Sequence, residues 1–104
     1  MVIYEVNISV NNDIFQDYYD WLLPHAKDIL NLPGFIDCEI GLVENQSDDN
    51  KNHLRVSYTI DSYDNLQHYL TNHAQQMRDD ATQQFGGQFD ITRRIILEPI
   101  TLEK

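Results

Sequence analysis

Trp21 and His25 stand four residues apart around Pro24 in the stretch WLLPH. On a helix that spacing makes an indole and an imidazole neighbours on one face. The pair would be a ring platform beside a group that exchanges protons near neutral pH. The same spacing suits a packed tryptophan with a histidine at the edge of the core, because aromatic residues at helical intervals commonly pack. A proline inside a helix removes a backbone donor and costs about 3 kcal/mol. Pro24 therefore points to a helix bent around Trp21 and His25, for packing or to shape a pocket. His73, three residues after Leu70 and four before Met77, is the second candidate proton carrier. Asn72 followed by Gln75 is a capping signal that restarts a helix there. A histidine in that first turn would be held neutral by the helix dipole. A buried histidine satisfied by a backbone partner accounts for the same pattern.

Arg93 is the sharpest oddity. In FDITRRIIL it shares parity with Phe89, Ile91, Ile95 and Leu97, so it enters an apolar sheet face while Arg94 goes to the other. An unpaired guanidinium there is costly, which makes Arg93 a clamp for an acidic ligand group or one half of an internal salt bridge. A bulge between the two arginines would exchange their faces. Tyr4 and Tyr58 point inward on strands expected to be neighbours, where their phenols need a polar ligand or each other. Arg78, one residue after Met77, is within reach of a pocket rim. No short spacing of ligating side chains marks a metal site, no glycine-rich phosphate loop precedes a helix, and no nucleophile and base pair is legible around the serines. The expectation is a site without metal or cofactor.

The elements that must position these groups follow from periodicity. Residues 2–10 alternate, with Val2, Tyr4, Val6, Ile8 and Val10 on one face. Asn11, Asn12 and Asp13, with Gln16 three residues after Asp13, supply capping side chains for a helix. Its stripe is Ile14, Tyr18, Leu22, Ala26 and Ile29, and it ends at Asn31 before the Pro33-Gly34 turn. Strands are expected at 35–43 and 53–60, joined by the exposed polar loop 44–52. Asp61 and Ser62 cap a second helical region that runs to about Phe85, and a last strand covers 89–98. The order βαββαβ gives an α+β, ferredoxin-like subunit: a four-stranded antiparallel sheet with helices on one face. Tyr4, Val6, Ile8, Ile36, Ile40, Val56 and Tyr58 belong to the helix side. Glu5, Asn7, Asp37, Glu39, Arg55, Ser57, Thr92, Arg94 and Glu98 belong to the other side, a polar face suited to water or to a second copy of the chain.

The 104 residues make one domain, 1–104, of a size that buries a core without staples. With 17 acidic and 7 basic side chains the net charge is −10, which repels phosphate backbones and anionic lipid alike. No nucleic-acid and no membrane partner is expected. One cysteine, Cys38, and a first strand that starts directly after Met1 fit a cytoplasmic address.

The pieces LPGF at 32–35 and IDSYDNLQHYLTNHAQQM at 60–77 resemble the dimeric α/β-barrel superfamily. Its ferredoxin-like subunits join sheet to sheet, and it includes antibiotic-biosynthesis monooxygenases, haem-degrading monooxygenases and muconolactone isomerases. The pieces IYEVNISV, Trp21 with His25, LQHYL, AQQMR, QFGG and RRIILEP extend the resemblance over nearly the whole chain, to a small bacterial family of uncharacterised proteins. The resemblance implies a homodimer and a cleft between helices and sheet. It also implies a small-molecule binder or cofactor-independent oxygenase or isomerase acting on a small acidic or aromatic metabolite. In that reading His25 or His73 moves a proton, Trp21, Tyr4 and Tyr58 line the wall, and Arg93 orients an acidic group. The chain departs from the haem-degrading enzymes, since Asn7 points away from the helix side and Trp21 lies on the first helix. The alternative is a noncatalytic regulatory or structural dimer whose cleft is filled by its own side chains.

Overall fold

Period-two alternation sets the sheet. In the computed structural model, which describes residues 1–44 and 49–104, the strands are β1 (Val2–Asn11), β2 (Phe35–Val43), β3 (Lys51–Ile60) and β4 (Phe89–Leu97). All neighbours are antiparallel, in the order β2-β3-β1-β4. The expected loop 44–52 is shorter than anticipated, since Lys51 and Asn52 already pair with β1; its residues 45–48 lie outside the described residues. Three helices complete the fold: α1 (Phe15–Leu30), α2 (Tyr63–Asn72) and α3 (Ala74–Phe85). Buried side chains of all three join those of one sheet face in a single core: Tyr18, Leu22 and Ile29 of α1, Leu66 and Tyr69 of α2, Phe85 of α3. This is the ferredoxin-like subunit.

The local chemistry explains the boundaries, with some departures. A 3-10 turn, Asn12–Ile14, precedes α1, which begins without a side-chain cap; Gln16 bonds forward to Asp20 instead of closing a capping box on Asp13. α1 runs unbroken through Pro24, which lies on the exposed side where water can satisfy the freed carbonyl. Ser62 caps α2 by accepting the Asn65 amide, as expected for a serine before an apolar stripe. The second helical region is broken at His73, which serves as C-cap of α2 and N-cap of α3. Gly86, at φ +58, ends α3.

Two facing assignments are corrected. A register irregularity between Phe35 and Asp37 turns Ile36 outward, so that Phe35 packs on the core and Ile36 is 53% exposed. One extra residue is enough, because a single slip reverses every side chain up to that point. Glu98 falls outside β4 with φ +48 and so does not belong to the open sheet face.

Candidate functional site

β1 and its two neighbours carry one wall of a cleft between sheet and helices. Across the sheet, Tyr4 stands opposite Tyr58, and Val6 lies between Val56 and Arg93. No bulge interrupts the pairing of β1 with β4, so parity holds and Arg93, not Arg94, takes the helix side. Arg94 on the open face donates its Nε to Glu5 Oε1 at 2.6 Å, and Asn7 donates to the same carboxylate. The Arg94 bond, then the Asn7 bond, hold the Glu5 carboxyl below its ordinary range. Diagonally across the same face Arg55 bonds Glu39.

α1 and α3 form the opposite wall. Trp21 and His25 stack with ring centres 4.3 Å apart and planes 23° apart, the i,i+4 arrangement expected from the sequence. Both line the cleft together with Tyr4, Tyr58 and Arg93. Burial pushes the His25 pKa down, against the pull of Asp80 and Asp28, so the imidazole is neutral near pH 7, with a ring nitrogen free to accept a proton. The cleft is half open to solvent, and its internal space of about 60 Å³ is below that of a benzene-sized cavity. It matches neither the few hundred Å³ of a drug-sized pocket nor a fully self-filled interior.

Five of the six site residues expected from sequence therefore meet at one cleft, and His73 does not. Its ring lies 5.7 Å from that of His68 at the α2–α3 junction, and it is not among the residues lining the cleft. Of the two candidate proton carriers, His25 or His73, only His25 lines this cleft.

Three groups were missed. Tyr18 and Tyr69 also line the cleft, and Tyr69 stands 5.9 Å from Tyr4. Burial, opposed by the charge of Arg93, pushes the Tyr18 phenol up to about 12. Burial and then Tyr4, opposed by Arg78 and Arg93, push Tyr69 up to about 12. Burial above all raises Tyr58 as well. These phenols stay protonated and act as donors. Tyr69 is three residues after Leu66, which was the available signal. The third group is on the open face, where Ser9 Oγ lies 2.9 Å from His53 Nδ1 and Asp49 Oδ2 lies 3.1 Å from His53 Nε2. This chain of hydroxyl, imidazole and carboxylate joins residues too distant in sequence to be read as a set. Ser9 sits on a strand paired on both sides, so the amides around it are engaged in the ladders and not free to stabilise an oxyanion. Among the described residues no group of three or more His, Cys, Asp or Glu could hold a metal ion. Among the described residues no helix is long and apolar enough to cross a membrane.

Comparison with known proteins agrees with this architecture. The family described as a domain of unknown function, DUF4286, matches residues 1–100. No curated protein matches the chain in sequence. Among solved structures, the chain is similar to a Deinococcus radiodurans protein provisionally assigned as an antibiotic biosynthesis monooxygenase (TM-score 0.69, 17% identity, 100% of both chains covered). It is similar also to a dimeric ferredoxin-like protein from an uncultured marine organism (0.68, 12%, 100% of both). A third is SnoaB of Streptomyces nogalater, a cofactor-independent oxygenase (0.60, 13%, 99% of this chain and 98% of that one). At these identities the likeness concerns the fold.

Proposed function

The chain belongs to this family of unknown function, and from its cleft we propose that it is a small-molecule-binding protein in which His25 moves a proton. The chemistry would be that of a cofactor-independent oxygenase or isomerase acting on a small acidic or aromatic metabolite. The observation that carries this reading is the convergence of Trp21, His25, Tyr4, Tyr58 and Arg93 on one cleft. A neutral imidazole accepts a proton from an acidified C–H or O–H of the ligand, the ring of Trp21 fixes the imidazole plane, and Arg93 orients the ligand's acidic group. The fold shared with SnoaB supports cofactor-independent chemistry. The fold shared with dimeric ferredoxin-like proteins supports a homodimer formed through the open sheet face.

The test is a thermal-shift screen against small aromatic acids, followed by proton NMR of each hit in deuterium oxide. The protein is expected to wash deuterium into the ligand's acidic position, and His25→Gln to slow that exchange roughly a hundredfold or more. His73→Gln is expected to leave it unchanged. Equal exchange by wild type and His25→Gln would sink the proton-transfer role. A protein that no small acid stabilises would instead be a noncatalytic dimer with a self-filled cleft.

A further inference from the structure

The four arginines divide by sheet face. Arg55 and Arg94, on the open face, each hold a glutamate. Arg78 and Arg93 both line the cleft from solvent-exposed positions, so water solvates them in the free protein, and neither guanidinium makes an ion pair or hydrogen bond with another described residue. The phenols repeat the pattern. Tyr4, Tyr18, Tyr58 and Tyr69 are at most 5% exposed, and their hydroxyls have no hydrogen-bond partner among the described residues. None of those oxygens is wholly enclosed, and all four residues line the cleft. No carboxylate among the described residues lines the cleft, in a chain that carries 17 of them. The wall is thus rich in donors and lacks anionic acceptors, where an acidic protein would readily have supplied a glutamate. A wall with two guanidiniums and four phenols and without a carboxylate matches a ligand that brings its own negative oxygens.

We infer that the cleft takes a compact carboxylate, its anionic end held between Arg78 of α3 and Arg93 of β4 and its apolar body among the tyrosine rings and Met77. This rests on the reading of the cleft as a small-molecule site and narrows it in two ways. It adds Arg78, on the helical wall, as the second half of the clamp, so that the ligand bridges helix and sheet. It also sets the class: an acid of at most one ring, whose body stands partly in the open mouth, because about 60 Å³ of internal space leaves a larger body uncovered.

Benzoate serves as the probe, with benzamide as its neutral isostere. Binding is followed by the fluorescence of Trp21, the only tryptophan, and by calorimetry. Benzoate is expected to bind at least tenfold more tightly than benzamide. Arg78→Gln and Arg93→Gln are each expected to lose tenfold or more for benzoate. Arg55→Gln, which removes the same charge from the open face, should keep wild-type affinity and so controls for net charge. Equal binding of benzoate and benzamide, or an equal loss in Arg55→Gln, overturns the carboxylate clamp while leaving the cleft a small-molecule site. No saturable response to either probe overturns both readings. The comparison of the two probes on wild-type protein needs no variant to fold.

Discussion

His25 ties the chemistry of the cleft to the stability of the fold, because an imidazole placed under covering side chains resists acquiring charge. Its folded-state pKa lies below the ordinary value, with burial as the main cause. The neutral form is therefore favoured by folding, and the stability it brings is present above the ordinary imidazole pKa of about 6.5. It is lost as the pH falls through the lower folded value. Denaturant unfolding at pH 7.5, 6 and 5 should show wild type weakening across this range more steeply than His25→Gln, which has nothing to protonate. Parallel slopes would contradict the burial of the ring. Trp21 reports the same event, since a protonated imidazole stacked on the indole quenches its emission. Fluorescence should fall on acidification with a midpoint below 6.5, and His25→Gln should remove that step. Glu5 works in the opposite sense on the open face. Its carboxyl is held low by Arg94 and Asn7, so its contribution is present above the usual carboxylate range and fades only in more acidic solution.

Elements are set by residues whose requirements cannot be negotiated, and Gly34 is one. It sits at φ +83 in the turn between α1 and β2. A Cβ built there would lie 2.7 Å from Asn65 Cβ and 2.6 Å from Asp61 Oδ1. Its carbonyl accepts the Asp61 amide at 2.8 Å, so this turn also fixes the start of α2. Gly34→Ala is expected to cost more than about 1 kcal/mol in denaturant unfolding, from the left-handed backbone and the clash together. Leu66→Ala, at a fully buried position of α2, should cost about 2–5 kcal/mol. Neither change touches the cleft's polar groups, so a loss of ligand binding without a loss of stability would be unexpected. Most of this architecture was legible in the sequence, because alternation on β1 and β3 and the apolar stripe of α1 are local and uninterrupted. The facing of Ile36 was not, since one extra residue beside the Pro33-Gly34 turn shifts the pairing without altering the pattern of residue types. The roles of Tyr69 and Arg78 were not fully legible either. Both depend on how α2 and α3 separate at His73 and lie on the sheet, which local periodicity does not encode. Arg93 was legible because parity along β4 survives intact beside β1.

At the scale of the whole molecule the two sheet faces divide the chemistry between them. The helix side hides the aromatic cleft, while the other side presents rows such as Glu39, Ser57, Glu5 and Arg94 across all four strands. That face carries Ile3 and Ile96 as well, and its glutamates are already neutralised by Arg94 and Arg55. Pairing acid with base in this way lowers the repulsion that a chain of net charge −10 would feel on meeting its copy. If two subunits associate through this face, as proposed, two-fold symmetry brings each Glu5–Arg94 pair near the partner's equivalent row. Arg94→Glu would then place a like charge beside Glu5 in both subunits, reversing the neutralisation where solvent is most excluded. Sedimentation equilibrium should show wild type as a dimer and Arg94→Glu weakened by roughly tenfold or more in association. Added salt should recover part of that loss by screening. A wild-type protein that sediments as a monomer at high concentration, or an Arg94→Glu dimer of unchanged affinity, would place the contact elsewhere. The cleft opens on the other side of the sheet, so benzoate binding by Arg94→Glu should persist even as the dimer comes apart.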